Sequence, residues 1–173
     1  MDKKIIEKYR DTLLNTSVEN HDNETLCYLL DNYNVSLDYS TIVQLNHRKE
    51  YKIIKKYFNE DFFNRKTIKK LITNCAEMNN LEMMKFYIDE CDIFPTLSCF
   101  RRSIYNENNG FPYGRNRIRQ DKKVFNYLLN HKTFPVIYSK YKDNIDDDET
   151  LSHFMMKRIR ELKLKRVKKY DSI

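Results

Sequence analysis

The chain reads as an all-α protein of about four stacked helix pairs, closed at its end by a basic helix, and three observations predict this. The first is punctuation. Only two glycines and three prolines occur among 173 residues, whereas sandwiches and barrels need turn residues roughly every eight to twelve positions. The second is recurrence: residues 24–31, 52–59, 82–89 and 123–130 each open on a charge, continue with two mostly apolar residues and end on an apolar pair followed by Asp or Asn. The third is period. Apolar residues three and four positions apart within these segments form one stripe on one helical face.

The opening residues Glu24, Lys52, Glu82 and Lys123 are 28, 30 and 41 apart, and the last interval is long because of an insertion. Shorter amphipathic stretches precede each recurrence. A first helix over 3–14 places Ile5, Ile6, Tyr9, Leu13 and Leu14 on one face. Others follow over 40–45, 66–75 and 97–104, with Asp61 or Asn64 as the cap of the second and Thr96, after Pro95, as the cap of the third. The pairs are therefore 1–34, 35–60, 61–94 and 95–135. Each pair exposes an apolar stripe that it cannot bury alone, so the pairs must stack. In the third pair Leu71 is expected to face Met84, with Ile88 reaching the neighbouring pair. The expected organisation is a helical repeat domain over 1–135, with an insertion loop at 106–120, then a linker and basic capping helix over 136–173.

Asn80-Leu81-Glu82-Met83-Met84-Lys85-Phe86-Tyr87-Ile88-Asp89 resembles the second helix of an ankyrin repeat. The preceding Leu71-Ile72-Thr73-Asn74-Cys75-Ala76-Glu77-Met78-Asn79 resembles its first helix and inter-helix turn. The likeness is strongest over 67–92. In so Lys-, Asn- and Ile-rich a chain it is similar to divergent ankyrin-like proteins of large DNA viruses, of giant-virus (mimivirus-like) or poxvirus-like type. Two departures accompany it: no Thr-Pro-Leu-His opens a first helix, and the glycines that bend ankyrin hairpins are missing. The resemblance implies an ankyrin-like solenoid working as a protein–protein interaction module, either a host-directed adaptor or an assembly component. It also implies residence in the host cytoplasm or in a virion.

Composition bounds the alternatives. The N-terminal Met1-Asp2-Lys3-Lys4-Ile5-Ile6 turns amphipathic at once and offers no apolar signal core, and no run approaches the roughly eighteen apolar residues of a membrane span, so a non-secreted, cytoplasmic chain is expected. Cys27, Cys75, Cys91 and Cys99 lack metal-type or disulfide-dense spacing. His21, His47, His131 and His153 belong to no HExxH or HxxxH arrangement, and neither a phosphate-binding glycine loop nor a GxSxG elbow occurs. No enzyme, no metal and no cofactor are expected.

Two segments carry the binding expectations. The insertion holds both glycines, Gly110 and Gly114, together with Phe111, Tyr113, Arg115, Arg117 and Arg119. Its arginines alternate, so an extended segment would point them one way, and aromatic residues beside arginine are enriched at interfaces. The blander alternative is a tolerated surface loop. The second segment is the C-terminal helix, expected over 148–169 and entered through Asp146, Asp147, Asp148 and Glu149, acidic groups suited to a helix N-terminus. Net charge is +7, and residues 153–173 hold eight Lys/Arg against Glu161 and Asp171, which leaves the rest of the chain nearly balanced. Leu151, Phe154, Met155, Ile159 and Leu162 share one face, as in a helix that caps the last pair. Lys163, Lys165, Arg166, Lys168 and Lys169 exceed what a helix dipole needs and point to nucleic acid or an acidic partner. A nucleic-acid-associated basic protein and a small structural protein of a virion are the alternative readings.

Overall fold

In a computed structural model, residues 3–33, 35–106, 117–118, 121–145 and 148–170 are described, with backbone alone at 3–5, 7, 106, 117–118, 144 and 166–170. The fold is all-α. The described chain forms two compact units, residues 1–71 and 72–173.

The first unit contains α1 (Lys3–Glu19), α2 (Asn23–Asn32), α3 (Tyr39–His47) and α4 (Tyr51–Tyr57), a 3₁₀ turn at Glu60–Phe62, and the first half of α5 (Arg65–Glu77). Here α1 packs on α2, α3 packs on α4, and α1 also lies against α3. The second unit begins inside α5 and continues through α6 (Leu81–Lys85), which runs into a single π turn at Phe86–Glu90. It then holds α7 (Leu97–Ile104), α8 (Lys123–Asn130), α9 (Phe134–Tyr141), a 3₁₀ turn at Lys142–Asn144, and α10 (Glu149–Tyr170). In this unit α8 contacts α6, α7 and α9, while α10 lies on α7. The strand pairing among the described residues is one two-residue antiparallel bridge, β1 (Tyr105–Asn106) with β2 (Arg117–Ile118).

One local device recurs at the head of three helix pairs. At the end of α1 the Asp22 N–H donates to the Ser17 carbonyl at 2.8 Å and the His21 N–H to Val18 at 3.2 Å. After α3 the Glu50 N–H reaches Leu45 at 2.9 Å and Lys49 reaches Asn46 at 3.2 Å. After α5 the Asn80 N–H reaches Cys75 at 2.9 Å and Asn79 reaches Ala76 at 3.1 Å. These are Schellman closures, in which one left-handed residue lets the last carbonyls of a helix find donors. That residue is His21 (φ 62°), Lys49 (φ 63°) and Asn79 (φ 53°). The next residue opens the following helix: Asp22 Oδ1 accepts from the Thr25 N–H at 3.0 Å and Asn80 Oδ1 from Met83 at 3.1 Å. Three residues thus join each pair of helices, at 20–22, 48–50 and 78–80. The glycines missing from the sequence are replaced by non-glycine residues that accept the left-handed conformation.

The sequence recurrence maps onto burial position by position. The third residues of the four segments, Leu26, Ile54, Met84 and Phe125, are all at most 1% exposed, while the first residues Glu24, Lys52, Glu82 and Lys123 are exposed in every copy. The first helices share a register as well. Counted back from the left-handed residue, Leu14, Ile42 and Ile72 are equivalent and buried, and so are Ser17, Leu45 and Cys75. In the fourth pair, Phe100 and Ser103 of α7 repeat that spacing, and Ser103 Oγ donates to the Phe100 carbonyl much as Ser17 Oγ donates to Leu14, both at 2.9 Å. The π turn is the local exception. It brings Phe86, Tyr87 and Ile88, three consecutive residues, into the interior, which the 100° step of an α-helix does not do.

Neighbouring turns are tied to one another within each unit. The Arg48 guanidinium donates to the Val18 carbonyl and, at 2.7 Å, to Asn23 Oδ1. The Asn79 side chain donates to the Asp121 carbonyl and accepts from the Val124 N–H, both at 3.2 Å. The core of the second unit is aromatic: Phe100 of α7 meets Phe125 of α8 (ring centroids 6.4 Å) and Phe134 of α9 (6.0 Å), and Phe125 meets Phe154 of α10 (5.6 Å).

Several expectations are refined. Asn64, rather than Asp61, caps α5, its Oδ1 accepting from the Thr67 N–H at 2.9 Å. Thr96 opens α7, its N–H donating to Cys99 Sγ. Tyr9, expected on the buried face of α1, is exposed, and Ser17 and Val18 extend that face instead. The stretch taken as linker after 135 contains α9, begun by Pro135 in the first helical turn, where its missing N–H costs nothing. Leu71, Met84 and Ile88 are all buried.

Two outcomes follow from the shared register. Truncating Leu26, Ile54 or Met84 to alanine should cost about 2–5 kcal/mol in denaturant titration, whereas Glu24→Ala or Glu82→Ala should stay within about 0.5 kcal/mol. Replacing Lys49 by glycine removes the steric cost of the left-handed residue and should raise stability by about 1 kcal/mol, while Lys49→Val should lower it.

Candidate functional site

The end of the second unit holds Lys163 and Lys165, two of the sequence-predicted basic residues, and a cleft beside them. Its geometry begins with the docking of α10. Asp148 Oδ1 caps the helix by accepting from the Leu151 N–H at 3.0 Å, and the same oxygen accepts from the Tyr105 hydroxyl at 2.6 Å. Leu151 and Met155 are fully buried, and the Phe154 ring packs edge-on against Phe125 with the Lys122 ammonium 4.7 Å from its centroid. Arg158 fixes the middle of the helix. Its Nε donates to the Leu129 carbonyl at 3.2 Å and its Nη1 to Glu161 Oε2 at 3.0 Å, and its side chain is only 17% exposed. Arg158 is therefore structural, a role that its place among the eight Lys/Arg of 153–173 does not reveal.

Beyond Arg158 the helix changes character. Lys157, Arg160, Lys163 and Lys165 are exposed, Ile159 and Leu162 are half-buried, and Leu164 is 61% exposed. Lys163 and Lys165 thus face solvent. Arg166, Lys168 and Lys169 continue the same helix, described there by backbone alone. Of the insertion residues, Arg117 lies in β2, where it pairs with Asn106, while Phe111, Tyr113, Arg115 and Arg119 lie outside the described residues, as do Asp146 and Asp147.

Between α9 and the exposed half of α10 lies a cleft of about 260 Å³, lined by Pro135, Tyr138, Ser139 and Lys142 on one side and Ile159, Leu162 and Lys163 on the other. The first set is spaced i, i+3, i+4, i+7 and the second i, i+3, i+4, so each helix contributes one face. The walls are mainly apolar. The charged side chains of the lining are two lysines. Sequence reading does not reach this site because it does not reach α9, whose signal is short: Phe134, Ile137 and Tyr141 at helical spacing, with Pro135 in the first turn.

A second constellation has the order of a catalytic relay. His131 Nε2 lies 3.0 Å from Asp89 Oδ1 and Nδ1 lies 2.8 Å from Thr133 Oγ1. The Thr133 N–H also points at Nδ1, at 3.3 Å, which places the ring proton on Nε2, donated to Asp89. Thr133 is the residue that precedes α9. The histidine thus stitches the α8–α9 turn to the π turn, and Tyr127 covers its ring at 5.4 Å. The geometry is that of a brace, with a threonine engaged in starting a helix.

Cysteine chemistry is muted. The four cysteines are not disulfide-bonded, and burial pushes the Cys99 thiol up, away from the reactive thiolate. Among the described residues no group of three or more His, Cys, Asp or Glu side chains is placed to hold a metal ion, and no helix is long and apolar enough to cross a membrane.

The two classes of cation on α10 are separable by mutation. Arg158→Ala removes two charge-assisted bonds at a partly buried site and should cost about 1–3 kcal/mol in chemical denaturation, while Lys157→Ala, one residue away and exposed, should move stability by less than about 0.5 kcal/mol. Compared with known proteins, the chain matches no family model, no curated protein and no solved structure.

Proposed function

We propose that this chain is a non-catalytic, macromolecule-binding protein of ankyrin-like helix-pair design that works as a protein–protein adaptor or assembly component. The observation that carries the reading is the recurrence of one turn geometry. Three helix pairs close through the same two hydrogen bonds around a left-handed residue at the same position, and the same positions are buried in each copy. Repeats of this kind bury their stripes only against neighbours, and what they offer to the outside is an extended surface for another macromolecule. The resemblance over 67–92 supports the ankyrin-like form, and by that likeness the setting is a large DNA virus, acting in the host cytoplasm or within a particle. The described residues of the links at 35–38, 58–64 and 91–96 contain no strand, so in this reading the contact surface does not use β-hairpin fingers there.

A second reading, contact with nucleic acid, is favoured by one observation: Lys157, Arg160, Lys163 and Lys165 all remain exposed on α10. Salt separates the two. Phosphate contacts release counterions and weaken steeply between low and physiological ionic strength, whereas apolar contacts persist.

The full-length chain, used as bait with and without nuclease, should retain a discrete protein through washes at physiological salt. Retention that vanishes with nuclease or moderate salt would favour the nucleic-acid reading instead. Truncation divides the C-terminal helix in the same way. Deleting 163–173 removes the exposed cations Lys163 and Lys165 but leaves Leu151, Phe154, Met155 and Arg158 in place, so the melting temperature should hardly change. Deleting from Ser152 onward uncovers Phe125 and should lower the melting temperature by several degrees and promote aggregation. Equal effects of the two deletions would show that α10 is not docked through its first half.

A further inference from the structure

From the cleft between α9 and α10 we infer a partner class: the site takes an acidic, amphipathic helical segment of another protein. This rests on the macromolecule-binding reading and adds to it the place and chemistry of contact. Three features point the same way. The first is shape. Two helices present faces spaced i, i+3, i+4, through Pro135, Tyr138 and Ser139 on α9 and Ile159, Leu162 and Lys163 on α10, which is the groove a third helix fills with its own i, i+3, i+4 side chains. The second is size. At about 260 Å³ the cleft falls below the roughly 300–1,000 Å³ of sites that enclose a small molecule, and it suits the anchoring side chains of a segment whose remainder stays outside.

Charge is the third feature, and it selects the occupant. The charged lining consists of Lys142 and Lys163, both exposed at the rim. Lys140 lies two residues before Lys142, and Arg160 and Lys165 flank Lys163, all exposed. Of the carboxylates on these elements, Glu161 is held by Arg158 at 3.0 Å, Asp143 sits beside Lys142 on the 3₁₀ turn, and Glu149 opens α10 ten residues before Ile159. An apolar floor with a lysine on each side favours leucine or phenylalanine anchors with Asp or Glu beside them, and it disfavours a basic segment. Nucleic acid would use the lysines and leave Ile159, Leu162 and Tyr138 unused. A second copy of this chain would have to bring a segment of the same acidic, amphipathic character.

The test uses the full chain and a labelled synthetic helical peptide of about 15 residues, near the shortest length that holds a helix in water, with leucines at i, i+3, i+4, i+7 and glutamates elsewhere. Fluorescence anisotropy should show saturable binding. Lys142→Glu together with Lys163→Glu, both at exposed positions and checked by circular dichroism to retain the fold, should weaken it at least about tenfold. A peptide with lysine in place of every glutamate should bind that double variant better than it binds the original chain. Leu162→Lys, which fills the floor with a charge, should also abolish binding. The proposal is overturned if the acidic peptide does not bind, if binding is indifferent to the charge reversal, or if a duplex oligonucleotide binds through the same two lysines with higher affinity. It is equally overturned if sedimentation shows a dimer that Leu162→Lys dissolves, since the cleft would then belong to a second copy. A protein captured by the chain whose binding survives the charge reversal would sink the cleft assignment while leaving the macromolecule-binding reading intact.

Discussion

A left-handed residue between two helices is the constraint from which most of this architecture follows. Each of His21, Lys49 and Asn79 reverses the chain within three residues, and in the first two pairs the reversal sets α2 against α1 and α4 against α3. None of the helices α2, α4, α6, α7 or α8 exceeds ten residues, too short to persist alone in water. They depend on a neighbour to bury the stripe that contains Leu26, Ile54, Met84 or Phe125. Non-glycine residues in this conformation each cost about 1 kcal/mol, and the two carbonyl bonds closed at every turn, with the helix cap that follows at Asp22 and Asn80, offset that cost. The turn also determines what can lie next to it: Arg48 and Asn79 each reach from one turn to the adjoining one.

The second unit adds an aromatic solution to the problem of ending a helical stack. An exposed last pair would leave Phe125 in water. Phe134 and Phe154 close over this region, approaching Phe100 and Phe125 respectively from α9 and α10. Ring pairs at these separations add to simple area burial, and Arg158 then locks the far side of α10 to the Leu129 carbonyl. Because that lock consumes one arginine and one turn of helix, the rest of α10 is left with its polar face in solvent and its apolar edge only half covered.

The helices themselves were largely legible in the sequence, because a stripe such as Leu26, Leu29 and Leu30 or Val124, Phe125, Leu128 and Leu129 repeats at a spacing that only a helix can use. What escaped was whatever depends on a neighbour across space. Tyr9 sits on the right side of α1 by spacing yet meets solvent, since periodicity fixes direction and not the extent of the covering surface. Arg158 looks like any other cation in a basic run until the Leu129 carbonyl is placed beside it. The helix α9 is eight residues long and carries a proline, so its two buried residues, Phe134 and Ile137, gave too short a pattern to stand out. The cleft was hidden with it. The left-handed turns were invisible for a different reason: sequence signals for them rest on glycine, and histidine, lysine and asparagine occupy those places here.

The fourth helix pair departs from its neighbours in one respect. Where the other three pairs are joined by three residues, α7 and α8 are separated by residues 105–122. The β1–β2 bridge, pairing Tyr105 with Ile118 and Asn106 with Arg117, draws the two ends of this longer connection together beside the helices, and Asn79 holds the start of α8 from the other side. The register of α7 on α8 is accompanied by contacts on the helix side of the bridge. The bridge therefore does for the fourth pair what the left-handed turn does for the other three: it brings two chain ends to the spacing at which α7 and α8 pack.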